Sequence, residues 1–334
     1  MSVGRMTLVS VGAGSPADSP RLRAAADSAA SDVALLYSDY LDAEGNRVRL
    51  IDRAEGALRD DFDFGPLIAA DSSLLREFPE RPSRVDIYRL VLAASRKGRI
   101  VHIAEPLYSL EAAGCGRESQ FDYVDPRNRS FQIELEKAVT EHLDEVGALV
   151  DTSALDPVDL NEGDFGVEAS VVIPVRNRHK TVGDAIRSAL SQKTGFQFNV
   201  IVVDNYSTDG TTELIESIAA ADSRVVHIVP AEKGHGIGGC WNIAVDSPLC
   251  GRFAVQLDSD DLYSSPDTLQ RIVDTFRATG AAMVIGSYTL TDFDLNTIPP
   301  GLIDHSEWTD GNGPNNALRI NGLGAPRAFF TPVI

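Results

Sequence analysis

Between Ala169 and Thr279, four short and almost unbroken apolar runs alternate with helix-length stretches, and this alternation most restricts the fold. The runs are Val171-Val172-Ile173-Pro174, Val200-Ile201-Val202-Val203, Val225-Val226-His227-Ile228-Val229 and Phe253-Ala254-Val255-Gln256-Leu257. They are too short for buried helices, and they lack the in-out alternation of a strand with one wet face. Such strands are covered on both faces, as in a parallel sheet. The spacers predict helices over 181–192, 211–220 and 266–279, with a short one over 241–245. In the first, Val182, Ala185, Ile186, Ala189 and Leu190 share one side. The expected class is therefore α/β, a mainly parallel sheet flanked by helices with right-handed crossovers.

The N-terminal half reads less evenly. Residues 1–30 fit an uncertain leader rich in Ala and Ser, or else a strand at Thr7-Leu8-Val9-Ser10-Val11 with a turn at Gly12-Ala13-Gly14-Ser15-Pro16. Residues 31–150 give a strand at Val33-Ala34-Leu35-Leu36-Tyr37, an acidic turn from Asp39 to Gly45, and a strand over 99–103 ended by Glu105-Pro106. Phe131, Ile133, Leu135, Ala138 and Leu143 space an amphipathic helix over 129–148. Residues 151–168 read as a linker, and 169–334 as a second domain that is incomplete at its C-terminal side.

The chain also echoes itself. Val33-Ala34-Leu35-Leu36-Tyr37-Ser38-Asp39 is matched by Ala282-Met283-Val284-Ile285-Gly286-Ser287-Tyr288. Farther on, Ala57-Leu58-Arg59 with Gly65-Pro66 is matched by Ala317-Leu318-Arg319 with Gly324-Ala325-Pro326. This predicts the back part of one unit followed by the front part of another.

With 30 basic against 49 acidic residues, net −19, the surface repels nucleic-acid backbones and anionic lipid heads. No apolar stretch approaches the roughly 20 residues of a membrane span. Cys115, Cys240 and Cys250 form neither a disulfide framework nor a CxxC pair, so buried thiols in a soluble cytoplasmic protein are expected.

In a parallel sheet, ligands bind beyond the carboxyl ends of the strands. Three such ends carry unusual polar sequences: Pro174-Val175-Arg176-Asn177, Asp204-Asn205-Tyr206-Ser207-Thr208-Asp209-Gly210 and Asp258-Ser259-Asp260-Asp261. Crowded carboxylates call for a cation, and hard oxygen ligands favour magnesium or manganese. Asp260 is the expected direct ligand, with His305 as a further metal ligand, and Asp258 the contact to ribose or to metal-bound water. Asp204, at a strand end, is read as accepting hydrogen bonds from a base or ribose, with a helix cap as the alternative; Asp209 is read as a cap. The glycines of Gly234-His235-Gly236-Ile237-Gly238-Gly239 let backbone approach a diphosphate at a helix start. Asp60, Asp61 and Asp63 read as a solvated loop.

On these pieces, together with Lys233-Gly234 and Trp241-Asn242, residues 169–334 resemble the family 2 glycosyltransferases of the nucleotide-sugar-binding GT-A fold. The resemblance implies inverting transfer of a sugar from a nucleoside diphosphate sugar to a carbohydrate or other hydroxyl acceptor, aided by Mn2+ or Mg2+. It places Pro174, Arg176 and Asp204 at the nucleotide, Asp258 near its ribose, Asp260 on the metal, and Lys233 and Asn242 at the border of the donor site. Asn205 and Tyr206 depart from the usual pattern, which has Asp and a small residue there. The family takes its catalytic base from a Glu-Asp pair after the metal motif, and residues 169–334 contain none. Residues 32–108 resemble the acceptor-side half of the same fold, which makes Asp86, in Val85-Asp86-Ile87-Tyr88, the candidate base. Two alternatives stay open: a nucleotide-sugar or glycan-binding protein with impaired turnover, and a nucleotidyltransferase.

Overall fold

The computed structural model describes residues 5–12, 16–79, 82–110, 122–320, 322–324 and 326–334. It divides into unit 1, Met1–Ser153 with Ser306–Gly322, and unit 2, Ala154–His305 with Leu323–Ile334.

Unit 1 begins with β1 (Met6–Ser10), α1 (Pro20–Ser28), β2 (Val33–Ser38), β3 (Tyr40–Leu41), β4 (Arg47–Val48) and β5 (Leu67–Asp71). It continues with α2 (Arg84–Lys97), β6 (Arg99–Ile103) and α3 (Arg129–Glu145). Its main sheet has the order β1-β5-β2-β6; β5 is antiparallel to both neighbours, and β2 is parallel to β6. Leu22 and Ala26 of α1 pack with Met6, Leu36 and Leu67, whereas Ile87, Leu90, Val91 and Ala94 of α2 pack with Leu35, Tyr37 and Ile68. Coverage from both sides explains why β2 and β5 are buried throughout.

Segments expected to be a leader thus supply an edge strand and a covering helix. Ala13-Gly14-Ser15 and Cys115 lie outside the described residues. The acidic turn also differs from expectation, because Asp39 is 1% exposed. Its Oδ2 accepts from Arg47 Nε and Nη2 (2.9 and 2.6 Å), and its Oδ1 from Leu50 N (2.9 Å). His102 Nε2 lies 2.9 Å from the same Oδ1. Burial alone would raise this carboxyl; these partners together hold it below its ordinary value.

Unit 2 contains β7 (Ala169–Val175), α4 (Val182–Leu190), β8 (Phe198–Asp204), α5 (Thr211–Ala221), β9 (Val225–Ile228), α6 (Ile237–Val245) and β10 (Phe253–Gln256). Then come α7 (Thr268–Thr279), β11 (Met283–Ile285), β12 (Tyr288–Thr291) and β13 (Thr297–Ile303). After α8 (Gly313–Arg319), which belongs to unit 1, the chain returns to unit 2 as β14 (Arg327–Phe330). The sheet order is β11-β14-β10-β7-β8-β9, with β10, β7, β8 and β9 parallel and β14 antiparallel to both neighbours. Val171 and Ile173 face a core with Ile186, Ile215, Leu269 and Phe276 from α4, α5 and α7, while Val172, Ile201 and Val203 face Cys240 and Ala244 of α6. Phe253 stacks on Phe276 with centroids 4.5 Å apart. Truncating either ring to alanine is expected to cost about 3–5 kcal/mol.

Two boundaries and the burial of one residue differ from the sequence reading. The stretch read as a linker is largely part of unit 2: Val158 and Leu160 pack on its core, and Arg252 Nη1 donates to the carbonyls of Leu160 (2.8 Å) and Glu162 (2.9 Å). Helix α6 starts at Ile237, so the glycine run opens it. Asp60 is no solvated loop residue; its carboxylate pairs with the buried Arg319 guanidinium of α8, whose Nη1 also donates to Gln132 Oε1 (2.9 Å). Burial still raises the Asp60 carboxyl.

The internal echo extends to three dimensions. The run β1-β5-β2 matches β10-β14-β11 in order and in antiparallel pairing. The β3–β4 and β12–β13 turns match bond for bond: Asp42 N donates to Asn46 O (2.9 Å) and Asp292 N to Asn296 O (2.9 Å). In both, the aspartate Oδ1 accepts from the backbone two and four residues on. Ala57 precedes Leu67 by the same spacing as Ala317 precedes Arg327, and on that alignment Val9, opposite Ile68, corresponds to Val255, opposite Ala328. In sequence alone, counting on from these strands aligns Gly12-Ala13-Gly14-Ser15 with Asp258-Ser259-Asp260-Asp261.

Candidate functional site

A cleft of about 240 Å³ opens in unit 2 at the carboxyl ends of β7 and β8. Pro174, Val175, Arg176 and Arg178 form one wall, Asn205 another, His235, Gly236, Ile237 and Cys240 a third, and Ser259 closes the set after β10. Four segments far apart in sequence meet there because parallel strands all point the same ends outward. At Gly234, Gly236 and Gly238, a Cβ would meet nothing within 4 Å, so the entry to α6 presents bare backbone to open space. The first N–H groups of a helix are unsatisfied within the helix and suit an anion.

The sequence-predicted residues divide between cleft, support and surface. Pro174 and Arg176 line the cleft. Asp204 does not: it is fully buried, its Oδ1 accepting from Ser207 N (3.0 Å) and its Oδ2 from Thr212 Oγ1 (2.5 Å). It therefore braces the loop whose next residue, Asn205, faces the cleft and donates from Nδ2 to the His235 carbonyl. Tyr206 holds φ +59° and donates its hydroxyl to Pro230 O (2.7 Å), and the Lys233 ammonium lies 5.1 Å from the centre of its ring. Lys233 and Asn242 are exposed and are not part of the cleft wall. Asp209 Oδ1 accepts from Thr211 N (3.2 Å) and Oγ1 (2.6 Å) at the start of α5.

At the acidic strand end, Asp258 is oriented by a relay: Arg327 Nε donates to Gln256 Oε1 (2.8 Å), and Gln256 Nε2 to Asp258 Oδ1 (2.8 Å). Arg178 Nε lies 3.6 Å from Asp260 Oδ2. The Asp261 carboxyl is pushed up to about 6, by desolvation first and then by the charges of Asp258 and Asp260. Carboxylate oxygens are the hard donors that a divalent cation prefers. The wider set expected with His305 is not gathered. Among the described residues, no group of three or more His, Cys, Asp or Glu side chains is placed to hold a metal ion.

Asp86 lies in unit 1, at the third position of α2, and is committed to a capping box. Its Oδ2 accepts from Ser83 N (2.8 Å) and Oγ (2.7 Å), while Asp86 N donates back to Ser83 Oγ (3.2 Å). The Ser-x-x-Asp spacing carries that signal in the sequence. Sequence reasoning missed Arg178, Gln256 and Arg327. Arg178 lies two residues beyond Arg176 in the loop after β7, whereas the Gln256–Arg327 pair joins strands that only the sheet order makes neighbours.

The fold is an α/β parallel sheet with a cleft and an acidic strand end at its carboxyl edge. The model of the family "Glycosyl transferase family 2" matches residues 170–328 of this chain. The chain is 30% identical to the putative teichuronic acid biosynthesis glycosyltransferase TuaG of Bacillus subtilis over 36% of its length and 46% of that protein. It is 38% identical to chondroitin synthase of Escherichia coli over 32% of its length and 15% of the relative. It thus spans less than half of either. Among solved structures, Staphylococcus aureus TarS 1–349 in complex with UDP-GlcNAc aligns at TM-score 0.32 and 25% identity, covering 35% of this chain and 33% of that one. No helix among the described residues is long and apolar enough to cross a membrane.

Proposed function

We propose that unit 2 binds a nucleoside diphosphate sugar in this cleft and transfers the sugar, with inversion, to a hydroxyl of a carbohydrate acceptor. The carrying observation is the meeting of Arg176, Arg178, Asn205 and the bare entry to α6 around one cleft, beside the carboxylates after β10. The guanidinium groups of Arg176 and Arg178 and the α6 N–H groups suit the diphosphate. Asp258 and Asp260 are the residues that would hold magnesium or manganese. Such an ion, when bound, would offset the charge that grows on the diphosphate as the sugar leaves. The acceptor oxygen forms a bond to the anomeric carbon as the bond to the diphosphate breaks, and the hydroxyl proton passes to a base.

A second reading, binding of nucleotide sugars without turnover, is favoured by one observation: the Asp86 carboxylate is already taken up by its helix cap. A panel of nucleoside diphosphate sugars with manganese, followed for binding, donor hydrolysis and transfer to sugar acceptors, separates the two. Transfer supports the first reading, and binding without hydrolysis or transfer supports the second. An absence of metal-dependent binding by any donor would sink both.

A further inference from the structure

Resting on the donor-binding reading of unit 2, we propose that His227 is a positioning residue whose Nε2–H holds the Asp204 carboxylate and thereby fixes the loop carrying Asn205. His227 lies on β9 opposite Val202 of β8, in a stretch that sequence reading treats as plain strand. Its Nε2 is buried without a hydrogen-bond partner, 3.7 Å from Asp204 Oδ2. The two side chains are 11% and 1% exposed.

A buried polar atom without a partner is costly, and native structures leave few of them. A movement of under about 1 Å brings this pair to hydrogen-bond length. Among the described residues, His227 is the basic side chain within ion-pair distance of Asp204. The groups around that carboxylate are Ser207 N in the following loop, Thr212 Oγ1 of α5, and Cys240 of α6, whose thiol is raised by burial and then by the Asp204 charge. The hydroxyl and the amide each bind one oxygen, and His227 approaches the oxygen that Thr212 already holds.

The tautomer follows from this geometry. With its proton on Nδ1, the ring would turn a lone pair toward a carboxylate, two acceptors face to face; with the proton on Nε2, it donates. Neutral imidazole suffices, so the role does not require a charged histidine. Asp204 in turn braces Ser207 and Thr212 on the far side of Asn205, whose amide ties the cleft wall at His235. Loss of the His227 donor should therefore loosen the nucleotide pocket without touching the transfer chemistry.

Two measurements test this. In metal-free, nucleotide-free protein, 15N-edited spectra of the histidine rings should show His227 as the Nε2–H tautomer, with its resonances shifted by Asp204→Asn. An Nδ1–H tautomer, or no response to Asp204→Asn, overturns the pairing. With nucleotide and donor sugar, His227→Leu should raise the donor KM about tenfold with kcat nearly unchanged. His227→Gln, which keeps a donor, should stay within about threefold of wild type. Equal KM in wild type and His227→Leu, or equal losses in the Leu and Gln variants, would overturn the role. If wild type binds no nucleoside diphosphate, the function proposed for unit 2 fails, and the donor-site role of His227 with it. The ring spectra judge the pairing separately.

Discussion

Strand β1 of unit 1 and strand β10 of unit 2 each pair with an antiparallel return strand, β1 at its sheet edge and β10 with β7 on its other side, yet they run into opposite sequences. After β1 come Gly12-Ala13-Gly14-Ser15; after β10 come Asp258-Ser259-Asp260-Asp261. The hairpins that follow differ in the same sense. Gly45 takes φ +82° in one turn, whereas Leu295 takes φ +63° in the matching turn, a conformation that bulky side chains rarely adopt. Among the described residues, the non-glycine positions with positive φ are Asn177, Tyr206 and Leu295, all in unit 2. Two of these adjoin the cleft wall. Strain and like-charge crowding gather in the unit that carries the candidate site, as expected where geometry is held for chemistry at the expense of stability.

The largest test of this contrast makes the two strand ends alike. Asp258→Gly with Asp260→Gly should lower sugar transfer by about a thousandfold, in line with the loss of electrostatic stabilisation at a reacting centre, while the unfolding midpoint does not fall. A double variant that keeps near-wild-type transfer would break the comparison. Next, the turns can be exchanged. Gly45→Leu should cost about 1–2 kcal/mol in urea unfolding, whereas Leu295→Gly should be neutral or stabilising by up to about 1 kcal/mol. Equal destabilisation by both would mean that Leu295 is not strained. Removing the α2 cap with Asp86→Ala should cost about 1 kcal/mol. A stability loss with transfer intact identifies a cap, and lost transfer with stability intact identifies a base.

The smallest effect is a pH dependence. Asp261 holds its proton more tightly in the folded protein, at about 6 against the ordinary 3.8, so the native state binds more protons than the unfolded chain over that interval. Stability from this group is therefore lost as pH rises from about 4 to about 6, and it stays lost above. Asp261→Asn should flatten that decline in metal-free buffer and leave the protein more stable at neutral pH. An unchanged slope would show that the carboxyl titrates normally.

The parallel sheet of unit 2 was legible because strands buried on both faces leave continuous apolar runs, as in Val200-Ile201-Val202-Val203. The glycine run, Arg176 and the acidic strand end were legible because they follow those runs directly. Asp204 was placed at the correct strand end but not at its depth, since burial depends on what Ser207 and Thr212 do with its oxygens. Asp39 read as part of an acidic turn and Asp60 as solvated because their partners, Arg47 with His102 and Arg319, are joined to them by folding rather than by any local pattern. The boundary of unit 2 was misplaced for a related reason: α8 lies between two unit 2 segments in sequence but packs in unit 1.

The central claim is that the acidic end of β10 and the cleft beside it make a donor site in unit 2. Calorimetric titration of the full chain with nucleoside diphosphates and manganese tests it most directly. The account predicts one nucleotide per chain, with binding that depends on the metal and is lost in Asp260→Ala while Gly12→Ala leaves it unchanged. Equal binding by wild type and Asp260→Ala, or metal-independent binding, would contradict it.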